Sequence, residues 1–149
     1  MVQLKKLLLC LLPMLILGAC SATNQWSYEL KGDSPNWRAI VQVVPDNQTG
    51  AVFVGKLQPL TDRRISYIEY EAKVTRTSEP SGNIKNPSFP NGEHVLFQDV
   101  PNNSMYQEDF KNGVSAEEIK NFFGEYPVFH ITWTDEQGEH SETIQLRLE

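Results

Sequence analysis

The stretch FHITWTDEQGEHSETIQLRL, residues 129–148, decides the fold because it predicts a β-hairpin with one buried face. If Asp135–Gly138 is a four-residue turn, Phe129 lies opposite Ile144 and Trp133 lies opposite His140. This register gathers the apolar side chains of both strands on one face: Phe129, Ile131, Trp133, Ile144, Leu146 and Leu148. A three-residue loop would place polar side chains of the second strand there instead, so we favour the four-residue turn.

The same alternation of apolar and polar residues recurs upstream and predicts further strands. Turn-forming clusters at 32–36 and 45–50 separate them. Residues 65–75 also fit helical spacing, but β-branched and aromatic residues are frequent there, so a strand is favoured. The predicted strands before the hairpin are 26–30, 37–44, 51–57, 65–75 and 93–100.

One short helix is predicted between strand 93–100 and the closing hairpin. Ser115 and Glu118 form a capping box, in which each side chain accepts a hydrogen bond from the backbone N–H of the other. Gly124 stands where such a helix would end. Its apolar face would consist of Ile119, Phe122 and Phe123.

Residues 78–92, SEPSGNIKNPSFPNG, are predicted to form a long irregular loop because they contain three prolines and two glycines. Phe89 is the only aromatic residue available to hold this loop against a core. A loop of this length is either functional or disordered, and both interpretations stay open here.

About seven short strands and one small helix predict a mainly β fold, an immunoglobulin-like antiparallel β-sandwich over residues 26–149. The cysteine pair of an antibody domain is missing, so the strand pattern alone supports this architecture.

The N-terminus is typical of a secretory signal. Lys5 and Lys6 precede an apolar run from Leu7 to Ala19, which is short for a membrane-spanning helix and is interrupted by Pro13. The run ends in Leu17-Gly18-Ala19-Cys20, and this sequence resembles the bacterial lipobox, whose cysteine receives a diacylglycerol and becomes the mature N-terminus.

We therefore expect residues 1–19 to be a signal peptide, Cys20 to be the lipidation site and residues 20–25 to be a short tether. Several acyl chains on one residue anchor a protein stably, so the membrane is an expected partner. We expect attachment to the extracytoplasmic face of the cell membrane, or to the outer membrane in a host with two membranes.

Charge limits the other partners. Cleavage after residue 19 removes two lysines and no acid, so the net charge falls from −6 to −8. An acidic surface is repelled by nucleic acid, and we expect no nucleic-acid partner.

Three segments resemble a group of small lipoproteins of Bacillus-type Firmicutes, whose mature domains carry an early Gly-acid-Ser-x-x-Trp element and a closing hairpin that contains tryptophan. The matching segments are 32–37 (GDSPNW), 131–133 (ITW) and 141–146 (SETIQL). The resemblance implies a host with a single membrane and implies no activity.

The sequence offers few reactive groups. His130 and His140 fall on opposite faces of the predicted hairpin and His94 lies on another strand, so they should not share a metal or a proton. The acid pairs Glu69 with Glu71, and Glu139 with Glu142, could serve a glycosidase, but outward strand faces commonly carry acids for solubility. We predict no catalytic residue, no metal site and no cofactor.

The sequence therefore favours a lipid-anchored, non-enzymatic binding or interaction module of the cell envelope, whose ligand, an envelope protein or polymer, it does not identify. The alternative is an enzyme, or an enzyme accessory, that acts on envelope polymers through the 78–92 loop.

Replacing Cys20 by Ala should move the protein from the membrane fraction to a soluble or uncleaved form, because the acceptor sulfur is lost. Fractionation of cells, followed by mass spectrometry of the N-terminal peptide, measures this. An unlipidated wild-type peptide, or a variant that still needs detergent for extraction, would contradict the anchor.

Overall fold

Residues 26–100 and 110–149 are described by the computed structural model, and they form two antiparallel sheets and one α-helix. The strands are β1 (Tyr28–Asp33), β2 (Trp37–Asp46), β3 (Gly50–Pro59), β4 (Tyr67–Lys73), β5 (Ser81–Lys85), β6 (His94–Asp99), β7 (Val128–Asp135), β8 (Gly138–Gln145) and β9 (Arg147–Leu148). Helix α1 spans Ala116–Phe123, and a 3-10 turn spans Pro90–Gly92. The signal peptide, Cys20 and the tether lie outside the described residues.

The first sheet has the strand order β6-β3-β2-β1-β9 and the second has the order β5-β4-β7-β8. Their inner faces pack together through ring contacts such as Trp37 with Trp133, at 5.6 Å between centroids, and Phe97 with Phe129, at 5.9 Å. The predicted mainly β antiparallel sandwich is thereby confirmed. The second sheet consists of the β4–β5 and β7–β8 hairpins, joined by the pairing of β4 with β7.

The predicted hairpin register is confirmed. Phe129 pairs with Ile144, Trp133 pairs with His140, and Asp135 pairs with Gly138 across the turn. The inward-facing side chains of the hairpin strands are buried at Phe129, Ile131, Trp133 and Ile144. The four-residue turn, which we favoured because it places the apolar side chains of both strands on one face, is therefore confirmed.

Helix α1 closes the sandwich at the end where β3 and β7 begin. The Ser115 hydroxyl accepts the Glu118 N–H at 3.2 Å, the Glu118 carboxylate accepts the Ser115 N–H at 2.7 Å, and Gly124 ends the helix with φ of 59°. The buried ring of Phe123 packs on Phe53 at 5.3 Å. The capping box and the helix end are as predicted, and the apolar face of the helix covers one end of the core.

Two strands were missed by the sequence interpretation. The prediction that 78–92 is one irregular loop is wrong, because Ser81–Lys85 pairs along β4 as strand β5. This segment has a single apolar side chain, Ile84, so no alternation marked it. Phe89 does hold the part of the segment after β5 against the core, since its ring lies 6.0 Å from that of Trp37.

The second missed strand, β9, is the point where the chain changes sheets. After Gln145 the chain leaves the second sheet, and Arg147 and Leu148 pair with β1. The crossing brings β8 against Gly32, where a Cβ would lie 2.3 Å from the Gln145 carbonyl oxygen. Only glycine lets the two strands come this close. Nearby, Glu142 accepts hydrogen bonds from the Asn36 side-chain amide at 2.6 Å and the Asn36 N–H at 3.3 Å.

Replacing Gly32 by Ala should lower the free energy of unfolding by about 1–3 kcal/mol, because the added methyl group forces the β1 and β8 backbones apart. Urea denaturation measures the change as a lower midpoint with an unchanged slope.

The adjacent variant Asp33→Ala is a control, because it removes only an exposed ion pair with Arg38 and should shift the midpoint less. Equal midpoints for Gly32→Ala and the wild-type protein would show that this contact does not constrain the fold.

Candidate functional site

The outward face of the second sheet carries a shallow polar depression of about 420 Å³. It is lined by Glu69, Tyr70, Glu71, Ser81, Gly82, Asn83, His130 and Thr132. Three strands, β4, β5 and β7, supply these residues, and the segment from β5 lies within the predicted 78–92 loop. The depression is therefore where that segment meets the rest of the domain.

Strand register places the polar side chains of the depression in two rows across the sheet. Glu71 stands between Ser81 on β5 and His130 on β7, and Glu69 stands between Asn83 and Thr132 in the next row. Directly opposed residues of an antiparallel pair have Cβ atoms about 4.5–5.5 Å apart. Each carboxylate thus has a hydroxyl, amide or imidazole group as its cross-strand neighbour.

Two contacts fix the geometry around the depression. The His130 Nδ1 lies 2.9 Å from the Thr143 hydroxyl on β8, which holds the ring against the sheet. Under the floor, the Tyr70 hydroxyl donates to the Leu96 carbonyl at 2.7 Å, and a Cβ at Gly82 would lie 3.0 Å from that hydroxyl oxygen. Gly82 therefore lets β5 lie flat over the tyrosine ring.

The depression is suited to hydrogen bonding with a polar ligand. Glu69, Glu71, Asn83 and His130 are all exposed. Alternate residues of a strand stand about 6.6 Å apart along the backbone, so Glu69 and Glu71 project side by side from one face of β4. The sheet surface leaves both open to water, whereas catalytic general acids usually lie in partly desolvated sites.

The three histidines lie apart, as predicted. His130 faces outward, and the His140 ring stacks on Trp133 at 5.1 Å on the opposite side of the hairpin. His94 lies on β6, an edge strand of the first sheet, and its Nδ1 is 2.8 Å from the Ser88 carbonyl oxygen. Within the described ranges, no three side chains of His, Cys, Asp or Glu come together as a possible metal site.

The second acid pair considered from the sequence does not form a site. Glu139 and Glu142 lie on opposite faces of β8, because Glu139 pairs with Thr134 and Glu142 with Ile131. Glu142 is instead bound to Asn36. The glycosidase hypothesis for this pair is therefore wrong, and Glu142 has a structural role.

A second polar cluster surrounds the carboxylate of Asp135, which has no exposed side-chain surface. Burial would raise the pKa of Asp135. Hydrogen bonds from the Gln137 N–H at 2.7 Å, from His140 at 3.0 Å and from Arg63 at 3.3 Å outweigh burial and lower the pKa of Asp135 below its usual range. The cluster fastens the β7–β8 turn to the segment before β4.

The sequence analysis did not predict the depression, although the strand patterns place several of its residues on outward faces. The alternation that buries Ile68 and Tyr70 also places Glu69 and Glu71 outward, and the hairpin register places His130 outward. The missing information was that β4 pairs with β7, which joins residues about 60 positions apart. Cys20 lies outside the described residues, and the described helices include none long and apolar enough to cross a bilayer.

Replacing Asp135 by Asn should make stability less sensitive to acid. A carboxylate with a lowered pKa stabilises the folded state above its unfolded pKa of about 3.9, and this contribution is lost as the pH falls further. Urea midpoints at pH 5 and pH 3 should therefore differ less in the variant than in the wild-type protein.

The exposed Asp62→Asn variant makes the same charge change and should retain the wild-type difference. If Asp135→Asn also retained the wild-type difference between the urea midpoints at pH 5 and pH 3, the Asp135 cluster would have no stabilising role.

Comparisons with known proteins provide no relative from which a role for the depression could be transferred. No protein-family model, curated protein or solved structure matches the chain. Any role of the depression must therefore be inferred from the groups that line it.

Proposed function

We propose that the protein is a lipid-anchored module of the cell envelope that binds a polar envelope polymer in the depression on the outward face of its second sheet. The observation that carries this proposal is the convergence of hydrogen-bonding side chains from three strands on one open depression. The anchor rests on the Leu17–Cys20 sequence and on the apolar run before it.

The groups in the depression suit a ligand with many hydroxyls, such as the sugar units of an envelope polymer. Carboxylates accept hydrogen bonds from hydroxyls, the Asn83 amide both donates and accepts, and His130 can do either. The volume of about 420 Å³ lies in the range of small-ligand sites, which is about 300–1,000 Å³. The open shape lets a polymer enter from the side and continue beyond the site.

Location at the outer face of the cell membrane, in a host with a single membrane, is part of the proposal. It is supported by the lipobox and by the resemblance of 32–37 and 141–146 to the Bacillus-type lipoproteins. Acyl chains, and not the acidic protein surface, would supply most of the membrane affinity.

An enzyme or enzyme accessory is the second candidate. The observation that favours it is the position of Glu69, Glu71 and His130 together with residues 81–83 in one depression. An enzyme would release soluble fragments from the polymer, whereas a binding module would leave the polymer intact. Analysis of the supernatant after incubation separates the two.

Replacing Glu71 by Gln should weaken binding to insoluble envelope polysaccharide, because an amide is a poorer acceptor for hydroxyl groups than a carboxylate. Asn83→Ala alone should weaken binding more than Glu71→Gln does, because it removes both a donor and an acceptor from the adjacent row. Co-sedimentation of the protein with the polysaccharide measures both effects.

Glu136→Gln is the matched control, because Glu136 is equally exposed but lies in the β7–β8 turn outside the depression. Unchanged binding by Glu71→Gln and Asn83→Ala would rule out the depression as the binding site.

A further inference from the structure

One end of the sandwich, which we call the tether end, is defined by the start of β1, β3 and β7 and by the end of β2 and β4. Trp26, just before β1, and Tyr126, just before β7, both lie at this end, and helix α1 closes it. The opposite end carries the contact between Trp37 and Trp133. The two ends are therefore chemically and geometrically distinct.

Trp26 differs from the other two tryptophans of the chain. Trp37 and Trp133 are 1% and 2% exposed, whereas Trp26 is only half-buried. One side of its ring is supported by Phe110, stacked at 5.8 Å, and by Tyr28 at 6.0 Å. The tether end thus presents a tryptophan ring that is held in place but still accessible.

Tyr126 forms a second aromatic group at the tether end, with two cations above its ring. The Lys73 Nζ lies 4.9 Å from the ring centroid and the Arg76 guanidinium carbon lies 5.9 Å from it. Such cation–π contacts hold positive charge beside an aromatic ring. The same lysine lies 3.7 Å from Glu79, and Glu125 precedes the tyrosine, so both signs of charge occur here.

The length of the tether determines what this end can face. Six residue steps separate Cys20 from Trp26, and six steps of fully extended chain reach roughly 20 Å. A lipid on Cys20 would therefore keep the tether end within roughly 20 Å of the lipid, close enough for this end to reach the headgroup layer. This step rests on the lipid anchor of the proposed function.

We propose that the tether end is a membrane-contacting surface, in which Trp26 and Tyr126 enter the headgroup layer and Lys73 and Arg76 bind lipid phosphates. Tryptophan and tyrosine favour this interface because one part of the ring system is apolar and another part is polar. The neighbouring acids suit a zwitterionic layer better than a strongly anionic one. The contact would fix the orientation of the domain and leave the depression, on the side of the sandwich, open to polymers.

The test uses the mature lipidated protein, beginning at Cys20, in vesicles of phosphatidylcholine, with or without bromine on the acyl chains. Bromine quenches a tryptophan only at close range, so brominated vesicles should quench part of the emission. Trp26→Phe should abolish this quenching, because the two remaining tryptophans are buried in the sandwich.

The variants Lys73→Glu and Arg76→Glu should reduce the quenching while the protein still floats with the vesicles. Lys85→Glu is the matched control, because Lys85 is exposed on β5 at the other end of the second sheet, and it should keep the wild-type quenching.

Vesicle flotation separates the two ways in which the proposal can fail. A protein that floats but shows no quenching dependent on Trp26 overturns the membrane contact and leaves the anchor intact. A wild-type protein that does not float overturns the anchor and the membrane contact together.

Discussion

The close approach of β8 to Gly32 is the constraint on which the rest of the sandwich depends. At this point the chain passes from the second sheet into the first, and the space for a side chain on β1 is filled by the Gln145 carbonyl group. The bond between Asn36 and Glu142 fastens the same corner. Segments 32–37 and 141–146 are thus two halves of one joint, and the glycine, asparagine and glutamate in them have a structural cause.

Aromatic packing completes the scaffold at both ends. At one end Trp37 lies between Trp133 and Phe89, and at the other the rings of Phe53, Phe110, Phe122 and Phe123 pack around helix α1. Aromatic pairs contribute about 0.5–1.5 kcal/mol each beyond the burial of their surface. Because both ends are closed in this way, the core is sealed and recognition takes place on the outer surface of the domain.

The proposed functions follow from how these surfaces differ. The outward face of the second sheet presents fixed hydrogen-bonding groups from strands that cannot easily move, which suits recognition without a large conformational change. The tether end presents half-buried aromatic rings and cations, which suits an interface between water and lipid. A single small domain would then bind a polymer on one surface and contact the membrane with another.

The sequence by itself determined the strands whose alternation is local, the register of the hairpin between residues 129 and 145, and the caps of the helix. These features depend on neighbours within a few residues, or on a single buried face. Only the tertiary structure decided that residues 81–85 form a strand, that the chain changes sheets after Gln145 and that Glu71 stands beside His130. The change of sheets and the neighbours Glu71 and His130 depend on pairing between distant segments. Strand β5 pairs with the preceding strand β4, but it has too few apolar residues for a pattern of its own, and β9 is too short for one.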